Sequence, residues 1–201
     1  MTRFGRNSGA GRSELTGGDI SRSTGGQYVL NGTSGSTGLT LIAAETATAG
    51  HMAAFRNGST TLSVQVDRIF ARWQTITGFT AAQEVGMSLT MARAYTAAHT
   101  SGTAVTLTTN NGKKNVNHLT IPTDFSFRVA DTAALTAGTH TLDGQPFAVA
   151  MAHELADGAS VVKRGFDLDY RPPLGGGKLI LGADEGFVLR NRIEGAAGGV
   201  W

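Results

Sequence analysis

Val85-Gly86-Met87-Ser88-Leu89-Thr90-Met91-Ala92-Arg93-Ala94-Tyr95 is the stretch that decides the fold class. Large side chains stand at every second position, and Gly, Ser, Thr or Ala fills each place between them. A period of two puts alternate side chains on opposite faces of an extended chain, whereas a helix needs a period near 3.6. The stretch therefore reads as a half-buried β-strand.

Working outward, Leu62, Val64 and Val66 alternate in the same way. Ile69, Ala71 and Trp73 continue on the opposite parity, which predicts a bulge near Asp67-Arg68. Segments 39–44, 104–109, 125–130, 147–155, 178–182 and 187–191 supply further strand candidates. Asn-Gly or Asp-Gly stands at Asn31-Gly32, Asn57-Gly58, Asn111-Gly112, Asp143-Gly144 and Asp157-Gly158. These dipeptides tolerate the positive φ angles of tight hairpin turns. Helical turns are expected only at 43–54 or 79–85. The sum is an all-β protein, an antiparallel β-sandwich of jelly-roll-like character.

Composition agrees. Gly, Ala and Thr account for 81 of the 201 residues, and only 16% are charged, which is unlike a coiled coil or helical bundle. A formal charge of +2 is too small for the dense basic surface of a nucleic-acid protein. The absence of Cys excludes disulfides, thiolate metal sites and cysteine nucleophiles. The first twenty residues hold arginines but no apolar core of a secretory signal, and no run reaches the ~18 apolar residues of a membrane span.

Residues 1–38 differ from the rest, with ten Gly, six Ser and five Thr. Such a segment buries too little apolar area to offset its own ordering entropy. It is expected to be an extended N-terminal arm, followed by a β-sandwich domain over 39–201. Arg3, Phe4, Arg6, Arg12, Arg22 and Tyr28 are the arm's candidate contacts with neighbouring subunits. Trp201, after Gly195, Gly198 and Gly199, is a second candidate anchor, set against the alternative that it folds back on its own domain.

No motif assigns a catalytic, cofactor or metal residue. Gly175-Gly176-Gly177-Lys178 lacks the Ser or Thr of a phosphate loop and runs into an apolar strand candidate. His153-Glu154 has Asp157 where a zinc protease needs its second histidine. His51, His99, His118, His140 and His153 lie in separate segments, so a metal centre would need three of them to converge in space, as in cupin barrels. Asp167 and Asp169 share one strand face, which suggests solvent or calcium rather than a catalytic pair; Asp184 and Glu185 complete the acidic group. Thr96–Thr103 (TAAHTSGT) is echoed by Thr132–Thr139 (TAALTAGT), which predicts equivalent edge loops.

Three stretches carry a resemblance: Thr77-Gly78-Phe79-Thr80-Ala81-Ala82-Gln83-Glu84, the run from Arg128-Val129-Ala130 to Thr141-Leu142-Asp143, and Leu181-Gly182-Ala183-Asp184-Glu185-Gly186-Phe187-Val188-Leu189-Arg190-Asn191. In order and character, over residues 60–195, they resemble small virion structural proteins of tailed bacteriophages. The resemblance implies a β-sandwich virion component with no enzymatic site, located in the virion and assembled in the bacterial host cytoplasm. It points to a capsid cement or decoration protein that bridges capsid subunits. The implied partners are the major capsid protein, other virion proteins and further copies of the chain, a trimer for instance; no membrane partner is expected, and four arginines in the arm, diluted by Glu14 and Asp19, argue against nucleic acid. The alternatives are a tail, adaptor or fibre-associated subunit, a glycan- or receptor-binding module using the 167–185 region, and, last, an enzyme of cupin or glycosidase type.

Overall fold

The structure is a computed structural model that describes residues 27–34, 46, 49–75, 79, 81–107, 121–156, 165–173 and 177–193. The chain divides into two compact units. One comprises Met1–Asn31 with Thr106–Thr123, the other Gly32–Val105 with Asp124–Trp201. The second unit contains the strands of the described residues.

Among the described residues eleven strands follow in order: β1 (His51–Asn57), β2 (Val64–Val66), β3 (Ile69–Gln74), β4 (Gln83–Ala97), β5 (Thr103–Ala104), β6 (Ser126–Val129), β7 (Thr139–Leu142), β8 (Ala148–Glu154), β9 (Gly165–Tyr170), β10 (Leu179–Leu181) and β11 (Glu185–Asn191). All pairings are antiparallel, and no helix occurs among the described residues. The main sheet runs β5-β6-β1-β11-β4-β7, with β8 also on β4, while β10-β2 and β3-β9 form two-stranded ribbons. The all-β sandwich expected from the alternation is what the chain adopts.

The deciding stretch lies inside β4, the longest strand at 15 residues. The reading of it as half-buried needs correction, because Val85 through Ala92 are buried on both faces. Residues opposite one another across an antiparallel ladder share a face. Val85, Met87 and Leu89 thus share theirs with Ala152, Ala150 and Ala148 of β8, and belong to the core cluster that also holds Trp73, Phe79 and Leu168. Ser88 and Thr90 share the other face with Arg190 and Val188 of β11. That second face is polar and yet buried.

Three other expectations change. The parity switch after Val66 is a strand break: β2 pairs β10, and β3 pairs β9. Position 51–54, read as a helical turn, opens β1, and position 83–85 opens β4. Two flanking ladders, β1 with β6 and β1 with β11, override the weak helical preference of Ala53-Ala54. Asp143-Gly144 is not a hairpin turn, because β7 and β8 both lie along β4. Asp143 N–H donates to the Met91 carbonyl at 3.0 Å and Phe147 N–H to the Leu89 carbonyl at 2.8 Å, so residues 144–146 loop out of one continuing edge. Asn57-Gly58 is also a turn without a hairpin; the Asn57 Oδ1 accepts from Ser59 N–H at 3.0 Å, and its Nδ2 donates to the carbonyls of Leu62, Leu181 and Gly182.

The sheet curls. Residues 98–102 carry the chain from β4 to β5, four strands away in the sheet order. Four inter-strand steps across a flat sheet span about 19 Å, which only a fully extended connection would cover. Ser101 and Gly102 instead take left-handed φ values of 56° and 55°. Within β4 the ladder to β7 shifts between Arg93 and Ala97, with Ala94 at φ 48°. Loops 98–102 and 130–138 then meet at an isolated bridge between Thr100 and Thr136. These are matching positions of the TAAHTSGT and TAALTAGT echo, so the two loops lie against each other.

Candidate functional site

Beneath those loops the fold gathers three of the five histidines. His51 opens β1, His99 sits in the 98–102 connection, and His140 belongs to β7. His51 and His99 are buried, His140 is half-buried, and one ring nitrogen from each lies within 4.8 Å of the others. The ring centroids are 4.9 Å apart for His51–His99, 5.7 Å for His51–His140 and 5.0 Å for His99–His140.

Each neighbour has a definable part. His51 Nδ1 stands 2.7 Å from His99 Nε2. The other nitrogen of His51, Nε2, lies 3.4 Å from the Thr46 carbonyl, an acceptor, and therefore carries the proton. His51 Nδ1 is then an acceptor and takes the proton of His99 Nε2. That leaves His99 Nδ1 to accept from the Tyr95 hydroxyl, which is hydrogen-bonded to it. The result is a directed chain, Tyr95 to His99 to His51 to the Thr46 carbonyl. His140 stands outside it: both of its ring nitrogens are buried without a well-formed hydrogen bond, and the nearby Gly138 carbonyl partly offsets the effect of burial on the ring.

Burial is the main electrostatic fact. It lowers the His51 imidazolium to about 4, helped by the positive charge of Arg190 and opposed by the Thr46 carbonyl. It lowers His99 to about 3, with His51 and His140 adding to the effect. His140 is lowered too, chiefly by burial. Burial likewise raises the Tyr95 phenol. At neutral pH the cluster is three uncharged imidazoles and a phenol, groups able to ligate a metal or pass a proton. Arg190, on the same buried face, donates from Nη2 to Thr90 Oγ1 at 2.8 Å and from Nη1 to the Thr46 carbonyl at 3.3 Å.

The acidic group is organised differently. Asp167 and Asp169 do share one face of β9, but arginines already occupy them. Arg72 grips Asp167 at 2.7 Å through both Nε and Nη2. Arg68 grips Asp169 at 2.7 and 3.0 Å, and Arg171 adds 2.9 Å. The hydrogen bonds from Arg68 and Arg171 hold the Asp169 carboxyl near 2, and Arg72 lowers Asp167. Arg68 and Arg72 also flank the exposed ring of Phe70. Asp184 is paired with Arg56, and Glu185 with Arg93. Asp167 and Asp169 with their arginines form an exposed ion-pair ladder, whereas Asp184 and Glu185 are half-buried.

Of the interface candidates, Tyr28 is half-buried and its phenol is raised by burial. Arg3, Phe4, Arg6, Arg12, Arg22 and Trp201 lie outside the described residues, as do strand candidate 39–44, His118, Asn111-Gly112 and Asp157-Gly158. His153 is exposed on β8 opposite Glu84. Lys178 is exposed just ahead of β10. The histidine cluster escaped sequence reasoning because its members are 48 and 41 residues apart, with no spacing motif. The echo was the usable signal. His99 occupies the place that Leu135 fills in the second copy, and Leu135 N–H donates to the His51 carbonyl at 2.8 Å. Comparison of the chain with protein-family models, curated proteins and solved structures gives no match.

Proposed function

We propose that this chain is a structural subunit of a tailed-bacteriophage particle, a cement or decoration protein that bridges neighbouring capsid subunits. The observation that carries the reading is the β8 edge. β8 pairs only with β4 among the described strands, and on its outward face Val149 and Met151 are 45% and 47% exposed. An edge strand with unpaired main-chain groups and exposed apolar side chains is suited to taking a neighbour's strand or apolar face. The Gly- and Ser-rich segment 1–38 supports the same reading, since it lacks the apolar residues to form a core of its own. Several weak contacts made at once raise avidity without any chemistry.

Quantitative mass spectrometry of purified particles tests it. Copies matching the shell subunits in number support the cement role. A copy number matching the tail's symmetry moves the chain to the tail or adaptor. Absence from every particle overturns the proposal. Deletion of 1–38 gives a second arm: the truncated protein, folded by circular dichroism, is expected to lose particle binding, and full retention refutes the role given to that segment.

A further inference from the structure

Three clusters lie outside the particle-binding surfaces: the arginine–aspartate ladder, the polar buried face around Arg190, and the histidines. The ladder is internally neutralised, and Arg190 is engaged by Thr90 and Thr46. The histidines hold an unmet demand. A buried polar atom without a well-formed hydrogen bond is costly, and both His140 ring nitrogens lack one, with the Gly138 carbonyl near enough only to favour the protonated ring. A fold that gathers three imidazoles out of solvent with nitrogens within 4.8 Å of one another is arranged for something that binds nitrogen lone pairs.

We infer that His51, His99 and His140 form a binding site for a divalent first-row transition-metal ion of the kind that prefers imidazole, such as zinc. This inference is independent of the particle role.

The donor set selects the ion. Three neutral nitrogens and no carboxylate suit zinc, copper, nickel or cobalt and disfavour magnesium or calcium. Metal–nitrogen bonds of about 2.0–2.1 Å in tetrahedral geometry separate the donors by roughly 3.3 Å. His51 Nδ1 and His99 Nε2, now 2.7 Å apart, need to part by about 0.6 Å, and His140, within 4.8 Å of both, to close by at most about 1.5 Å.

The supports behind the ligands are also present. The Thr46 carbonyl fixes the proton on His51 Nε2 and so presents Nδ1 inward. Tyr95 stands behind His99. On binding, the His99 proton moves from Nε2 to Nδ1 by exchange with solvent, Nδ1–H then donates to the Tyr95 oxygen, and the imidazole stays neutral throughout. Tyr95 is thus a positioning residue. Arg190 opposes the ion by its charge and limits affinity.

A bound ion would join the start of β1 to the 98–102 connection and to β7, which lies three places from β1 in the sheet order. Three protein ligands leave a fourth position for water or an exogenous donor.

The test uses metal-stripped full-length protein titrated with zinc or cobalt(II), and with magnesium as contrast. One equivalent of zinc is expected to bind and raise the thermal midpoint, and cobalt is expected to give the intense visible bands of a tetrahedral site. Magnesium should do neither. His140→Ala is expected to abolish the stoichiometric ion, His153→Ala to leave it, and Tyr95→Phe to weaken affinity about 10–100-fold while keeping the cobalt spectrum. The proposal is overturned if the wild-type protein binds no zinc, if cobalt gives only weak octahedral bands, or if binding survives in His140→Ala and disappears in His153→Ala. The cobalt spectrum of the wild-type chain decides the matter even where a variant fails to fold.

Discussion

Leu135 N–H donates to the carbonyl of His51 at 2.8 Å, although the two residues stand 84 positions apart. Through this bond the 130–138 loop is fastened to the first residue of β1, which is also a member of the histidine cluster. Leu135 is 3% exposed and lies in the core cluster. Leu135→Ala is expected to cost about 2–5 kcal/mol, the range for truncating a buried leucine. Urea unfolding followed by Trp fluorescence measures it, and an unchanged midpoint would show that the loop is not fastened there.

The neutral histidines give the metal-free protein a defined acid sensitivity. An unfolded imidazole titrates near 6.5, whereas folded His51 and His99 titrate near 4 and 3. Below 6.5 the unfolded chain binds protons that the folded chain refuses. Stability is therefore full above pH 6.5 and falls as pH drops toward 4 to 3. The slope is about 1.4 kcal/mol per pH unit for each imidazole involved. Urea midpoints in the presence of a chelator, measured from pH 7.5 to 4, check this, and a flat profile over that window would contradict it.

Gly186 pairs with Arg56 on one side and Ala92 on the other. A Cβ there would drive into the Phe55 carbonyl oxygen and press the Tyr95 ring at 3.0 Å. Since both neighbours are central strands, relief requires backbone movement. Gly186→Ala is expected to destabilise the fold by about 1–3 kcal/mol or more. Gly144, where a Cβ meets nothing within 4 Å, is the control, and Gly144→Ala should leave the midpoint unchanged.

The ladder on β3 and β9 should matter little to stability and nothing to calcium. Its arginines and aspartates are exposed, and such pairs are screened by salt. Asp169→Asn is expected to shift the unfolding midpoint only slightly, with the shift vanishing at high salt. Isothermal titration with calcium should show no binding to the wild-type ladder. A stoichiometric calcium site lost in Asp169→Asn would revive the glycan-binding reading.

Fold class was legible because Val85–Tyr95 alternates without interruption, because 125–130, 147–155 and 178–182 each contain a strand of the structure, and because 187–191 lies within another. Partnership was not legible. Asp143-Gly144 looks like a hairpin turn locally, but whether its flanks pair with each other or with β4 depends on residues fifty positions away. β1 was missed for the same reason: His51-Met52-Ala53-Ala54 has no strand pattern of its own and becomes extended between two partners. The ion-pair ladder was half legible, since the shared face of Asp167 and Asp169 follows from spacing while their arginine partners on β3 follow from register. The histidine cluster depends on the curl of the sheet, which no local pattern encodes.

The central place of β1 also sets an order of events. Its ladder to β11 joins residues 51–57 to residues 185–191, so the middle of the sheet cannot close while the ribosome has yet to deliver the last of these strands. Until then the apolar edge of β1 must wait in the cell with only β6 beside it. Pairings over such separations make refolding slow, on the order of milliseconds to seconds. A nascent chain exposed for that long is a natural substrate for chaperones.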